Sequence, residues 1–204
     1  MITHNIFQTP LFAEQLDGLT DQCALIDYVN SNELQRGVSA NLPTDKIVID
    51  KDLQTVNHNM QHNRILKPLC SKILEAMNKI VAIYQYDAYE VEITSMWGNI
   101  QKPGTHFRRH AHDNHMFSGV FYLNYNEHFP SITFWRPVES SFSPQLKLHN
   151  EFNQELYSYK PNKDELIIFP SWLQHSVDKN NTDENRINIA FNVMLRGTYH
   201  NINL

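Results

Sequence analysis

Between residues 57 and 84 apolar side chains return every three or four positions: Met60, Ile65, Leu66, Leu69, Ile73, Leu74, Met77, Ile80 and Val81. One stripe at that spacing predicts an amphipathic helix lying on a core. Pro68 falls inside the run, so it either kinks the helix or marks the first turn of a second one. A shorter helix is predicted over 21–30, where Leu25, Ile26 and Val29 keep helical spacing. Residues 1–12 read as a short strand or extended arm, and 37–45, polar and holding Pro43, as loop.

From residue 89 the period switches to two. Tyr89, Val91, Ile93, Ser95 and Trp97 alternate with Glu90, Glu92, Thr94 and Met96, the pattern of a half-buried strand. Lys102-Pro103-Gly104 reads as a turn. Further strands are predicted over 118–124, 131–135, 165–169 and 186–195. Residues 136–163, broken by Pro137, Pro144 and Pro161, read as a long loop with a short strand or two. Helices come first and strands follow, without repeats. The economical architecture is mainly β with flanking helices, as a barrel or jelly roll. The expected organisation is a single domain over 1–204, with helical support in 1–88 and the jelly-roll core in 89–204.

Composition narrows this little. A chain of 204 residues can bury one sizeable core. The net charge of −5 argues against non-specific nucleic-acid binding, so no nucleic-acid partner is expected. Cys23 and Cys70 are far apart and outside any paired metal spacing, which fits free thiols in a reducing compartment. No apolar run reaches the ~20 residues of a membrane span. The first residues lack a basic segment followed by an apolar one. The expected location is cytoplasmic, the host's if the chain is viral, with no membrane association.

The eleven histidines change the picture through their placement. His110 and His112 are two residues apart, so on extended backbone they point the same way, about 7 Å apart. Two such imidazoles can converge on one ion, which could be Zn, Fe, Ni or Cu. His175, beyond the apolar run 165–169 and Pro170-Ser171-Trp172, is the best third ligand. Three protein ligands leave coordination positions open for chemistry. His106, His115, His128, His149 and His200 lack such context and are taken as non-ligating. The bland alternative makes His110 and His112 exposed loop residues beside Arg108 and Arg109. Asp113 has the wrong parity, and could ligate only if the strand stopped at His112 and the chain turned there.

In order, the motifs are Trp97-x-Asn99, His110-x-His112, Ser118-Gly119-Val120-Phe121-Tyr122-Leu123, Phe169-Pro170-Ser171-Trp172-x-x-His175 and Arg186-x-Asn188. Together they resemble the 2-oxoglutarate- and iron(II)-dependent oxygenase superfamily, and a bacterial and phage subgroup of it with an H-x-H…H motif. The resemblance implies a double-stranded β-helix, a cupin-like jelly roll with supporting N-terminal helices and a metal at its open end. It implies Fe(II), 2-oxoglutarate and O2 as cofactor and co-substrates, with ascorbate supportive. His110 and His175 take the first and distal ligand positions. The chain departs at the second, where His112 stands instead of the usual Asp and leaves the metal one unit more positive.

Arg186 matches the residue that grips the distal carboxylate of 2-oxoglutarate, a task suited to a planar guanidinium. The alternative is a surface arginine paired with Asp183 or Glu184. Tyr122 matches a position that helps hold the same carboxylate, and Ser118 shares its strand face. Asn99 shares a face with Trp97 and could bond the co-substrate. Tyr122 and Asn99 could equally be satisfied polar core residues. Trp135, Trp172 and Asn192 are assigned loosely to the substrate side. The expected activity is hydroxylation of a small molecule or peptide, with release of succinate and CO2. The rivals are a three-histidine cupin-type dioxygenase that needs no 2-oxoglutarate, and a jelly roll that binds without catalysis.

Overall fold

Alternation of side chains along its strands dictates a sheet covered on both faces. The computed structural model describes residues 2, 8–19, 21–36, 53–137, 144–199 and the backbone of 202–203. In chain order the elements are β1 (Phe12–Gln15), α1 (Gln22–Ser31), β2 (Leu34–Arg36), β3 (Leu53–Thr55), α2 (Lys67–Tyr84), β4 (Ala88–Gln101), β5 (Phe107–His110), β6 (Phe117–Tyr122), β7 (Ile132–Trp135), β8 (Leu156–Tyr159), β9 (Glu165–Pro170), β10 (His175–Val177), β11 (Arg186–Tyr199) and β12 (Ile202–Asn203). Asp21 caps α1 by accepting from the Ala24 amide at 3.2 Å. Pro68 lies in the first turn of α2, where its missing N–H costs nothing. Two single 3-10 turns, Met60–His62 and Arg64–Leu66, precede it. The apolar stripe from residue 57 is therefore two short turns and then a helix, the second of the two outcomes predicted for Pro68. The predicted loop over 37–45 lies outside the described residues, as does half of the predicted arm over 1–12.

The larger sheet runs β1-β9-β6-β11-β4-β3-β2, with β12 beside β11, and the smaller runs β5-β10-β7-β8. Every pairing within both is antiparallel. One face of the larger sheet packs on the helices through Ile189, Phe191, Val193, Phe121, Met96 and Ile168, against Leu25, Val29, Leu69 and Ile73. The other faces the smaller sheet through Tyr122, Ile167 and Phe169, which meet Ile132, Phe134 and Val177. This is the double-stranded β-helix, or jelly roll, expected from the motifs. The residues before β4 are not helical alone, because β1, β2 and β3 extend the larger sheet.

The alternation read over 89–97 is not one face. Pairing with β11 slips at Thr94: Val193 opposes Ile93, and Asn192 opposes Ser95. The bulge reverses the phase. Val91 and Ile93 pack toward the helices, whereas Ser95, Trp97 and Asn99 turn inward. Gly119, on β6, stands directly opposite Phe191. A Cβ there would come within 2.3 Å of the Phe191 ring and 2.6 Å of the Ile167 carbonyl, so glycine makes room for the aromatic.

Candidate metal centre

Two of the three histidines meet because of strand register. His110 ends β5 and His175 opens β10, and the two are cross-strand partners. His112 lies two residues beyond the strand end, before a turn at Asp113-Asn114. Its position is set by its backbone N–H, which donates to the Ser171 carbonyl at 3.0 Å. The pair expected on one strand is thus split: His110 is on the strand and His112 in the loop after it. The ligand atoms of His110, His112 and His175 all lie within 4.8 Å of one another. Asp113 is not part of that group.

The imidazoles are set up as neutral donors. Nδ1 of His110 donates to the Arg108 carbonyl at 2.7 Å, and Nδ1 of His175 to the Leu173 carbonyl at 3.0 Å. Each therefore turns an Nε2 lone pair toward the centre, as backbone-oriented metal histidines do. Burial holds the pKa of His175 well below its ordinary value and lowers that of His110. His112 is brought down to about 3 by burial and by its proximity to His110 and His115. Neutral nitrogens packed this closely suit a divalent ion.

A cavity of about 50 Å³ runs from the histidines to Arg186, walled by Trp97, Asn99, Tyr122, Phe169 and Asn188. That is space for on the order of a few waters. Arg186 is 2% exposed, so it is not a surface arginine. Its Nη1 donates to Gln101 Oε1 at 3.4 Å, and its guanidinium carbon lies 5.0 Å from the centre of the Tyr122 ring. Its Nη2 and the Tyr122 hydroxyl are buried without a partner. Burial pushes the Tyr122 phenol up to about 12, against the opposing influence of the Arg186 charge, so it keeps its proton. Burial also lowers the pKa of Arg186. A buried cation and a buried O–H without protein acceptors are costly unless a ligand supplies them. The chemistry of that donor pair fits a carboxylate.

The other assigned residues divide. Asn99 lines the cavity, but its amide is engaged by Trp97 and Asn188. Ser118 is not on the cavity wall. Its hydroxyl is shared between Ser171 Oγ at 2.8 Å and Asn192 Oδ1 at 2.7 Å, and Asn192 does not line the cavity either. Trp172 is half exposed beside Arg109 and Gln174, and Trp135 carries the Arg109 guanidinium 4.3 Å above its ring. Sequence reasoning missed Gln101, whose Nε2 donates to the Thr105 and Asp178 carbonyls so that Oε1 faces Arg186. It also missed His58, stacked on Trp97 with centroids 5.3 Å apart. A larger cavity of about 510 Å³ lies between Leu11, Trp135, Leu156 and Leu173, and none of the converging histidines lines it.

Residues 95–192 match the family described as "Putative 2OG-Fe(II) oxygenase". That segment, just under half of the chain, is similar to a 2OG-Fe(II) oxygenase core. Solved structures share the fold over most of the chain. A Pseudomonas putida prolyl-4-hydroxylase is 17% identical with a TM-score of 0.57, over 90% of this chain and 92% of that one. A Trichoplax adhaerens prolyl hydroxylase, in complex with a hypoxia inducible factor oxygen degradation domain peptide fragment, has a TM-score of 0.60 at 16% identity, over 90% and 83%. HygX from Streptomyces hygroscopicus, with nickel and 2-oxoglutarate bound, has a TM-score of 0.55 at 10% identity, over 91% and 83%. No curated protein sequence matches the chain. The three imidazoles fit an iron site. No helix among the described residues is long and apolar enough to cross a membrane.

Proposed function

We propose that this oxygenase hydroxylates a small molecule or peptide in a reaction dependent on iron(II) and 2-oxoglutarate. His110, His112 and His175 would hold the metal. Arg186 and Tyr122 would hold the distal carboxylate of 2-oxoglutarate. The observation that carries this reading is the pair of buried, unpartnered donors, Arg186 Nη2 and the Tyr122 hydroxyl, in the cavity the histidines also line. Iron and 2-oxoglutarate together supply O2 activation: one oxygen atom enters the substrate C–H bond as hydroxyl, the other enters succinate, and C1 leaves as CO2. The chain's own groups position and exclude. Arg186 offers its free N–H to the carboxylate, and Gln101 keeps the guanidinium aimed. Tyr122, held neutral, donates its proton without giving it up. Phe169 and Trp97 keep the walls apolar.

Succinate release tests this directly. Protein supplied with iron(II), ascorbate and 2-oxoglutarate should form succinate. Arg186→Ala should weaken 2-oxoglutarate binding at least tenfold while metal still binds. Equal affinity in that variant would end the assignment. The all-imidazole ligand set favours one second reading, a cupin-type dioxygenase that binds its substrate directly at the metal. In that case Arg186→Ala would leave turnover intact.

A further inference from the structure

The smaller sheet ends on an unguarded strand. Among the described residues β8 pairs on one side only, with β7, and its register there runs without a bulge. Its sequence, Leu156-Tyr157-Ser158-Tyr159, holds neither charge nor proline, and Leu156 is 44% and Tyr157 49% exposed. Folds blunt such an edge with a lysine, a proline or a bulge, because its backbone N–H and C=O groups can pair with another chain. Lys160 is next in sequence, but its ammonium is committed to the Glu127 and Phe129 carbonyls.

Along this edge opens the cavity of about 510 Å³, a volume within the range of ligand sites. Leu156 and Tyr157 line it from β8 and Leu11 from the chain before β1, while the buried Phe134 and Leu173 form its floor. Glu151 and Glu155 also line it; neither meets a cation among the described residues, and Arg136 is the one cation beside them. The floor backs onto the metal centre. The Phe134 ring lies 6.1 Å from that of His175, and the Leu173 carbonyl accepts from His175 Nδ1. Tyr157 opposes Phe134, Phe134 opposes His175, and His175 opposes His110, so one cross-strand row runs from β8 to two of the histidines.

We propose that β8 takes an extended peptide as a further strand of the smaller sheet, with an apolar or aromatic side chain in the cavity and a basic residue toward Glu151 and Glu155. Main-chain pairing supplies the affinity and the alternate side chains the specificity. A strand added there lies three strand spacings from β10, about 14 Å, which an extended chain covers in about four residues. The residue delivered to the histidines therefore stands about four positions from the anchored one. A second copy of this chain suits the edge less well. Its Ser158 bonds Thr133 and its Tyr159 bonds Glu165, so neither side chain is free to fill the cavity, and it would bring more carboxylates to an acidic rim.

Delivery to the metal rests on the oxygenase reading, whereas docking does not, so the two are measured apart. Docking is read by fluorescence anisotropy, with metal-free protein and a fluorescein-labelled peptide, Lys-Thr-Phe-Thr-Lys between glycine-serine tails. The peptide should bind. N-methylation of its core amides, or glutamate in place of its lysines, should each weaken it at least tenfold. Leu156→Lys and the double variant Glu151→Lys/Glu155→Lys should do the same at an unchanged melting temperature. No binding, or binding indifferent to N-methylation and to Leu156→Lys, would overturn the docking. Self-association that Leu156→Lys abolishes and the peptide does not displace would also overturn it, and would give the edge to a second copy. Delivery is read by nuclear magnetic resonance: manganese at the histidines should broaden one tail of the docked peptide more than the other. Equal or absent broadening with manganese bound would overturn delivery and leave docking in place. Protein that binds no manganese would overturn delivery and the oxygenase reading together, with docking unaffected.

Discussion

His112 decides how this metal site differs from one with a carboxylate. An Asp at that position would bring a negative oxygen ligand; the imidazole brings a neutral nitrogen, kept unprotonated down to about pH 3 by burial and the neighbouring histidines. Imidazole ligands suit iron, nickel, copper and zinc, whereas carboxylate suits manganese and other harder ions. The ligand set therefore biases the centre toward the nitrogen-preferring metals. His112→Asp should shift that balance: the ratio of nickel to manganese affinity should fall on the order of tenfold, about 1.4 kcal/mol. Competition titration against a chelator reads both affinities. An unchanged ratio would mean that His112 does not ligate, which would leave His110 and His175 as a two-histidine site.

Among the elements, the connection from β9 to β10 ties the ligands together. Ser171 is fully buried there. Its carbonyl accepts from the His112 amide, its N–H donates to the Met116 carbonyl, and its hydroxyl meets Ser118, which bonds Asn192, which in turn donates to Ser95. One residue thus anchors the loop carrying His112 and begins the loop leading to His175. Ser171→Ala removes one neutral buried hydrogen bond and should cost about 1 kcal/mol of stability. It should also weaken metal binding several-fold, measured well below the melting temperature; full metal affinity would show that the backbone bonds suffice. The helices and most strands were legible in sequence because apolar periodicity is a local property of Leu69, Ile73 and Ile80 or of Ile187, Ile189 and Phe191. The order of histidines and Arg186 was legible because the motifs are local too. The bulge at Thr94 was not, since a register slip depends on the partner strand. Ser118 was assigned to the cavity from strand parity alone, and parity says nothing about how far along the strand the cavity reaches. Gln101 acts through a cross-strand neighbour, which no linear pattern displays.

At the scale of the molecule, the larger sheet joins two cores, one against the helices and one against the smaller sheet that holds His110 and His175. Binding in the second core should therefore stabilise the fold as a whole. A ligand at about 100 times its dissociation constant adds roughly 2.7 kcal/mol when it binds only the native state. For a chain of this length that corresponds to a rise of roughly 5–10 °C in melting temperature. Manganese and 2-oxoglutarate should act in sequence. Metal should raise the melting temperature first, and 2-oxoglutarate should raise it further only in metal's presence, because the proposed co-substrate site runs from the histidines to Arg186. A chelator should abolish both steps. Arg186→Ala should keep the metal step and lose the second, since the histidines stay and the carboxylate loses its buried cation. Retention of the 2-oxoglutarate step in Arg186→Ala would place the co-substrate away from the buried donors. Loss of the metal step in the same variant would instead mean that Arg186 supports the smaller sheet rather than the ligand.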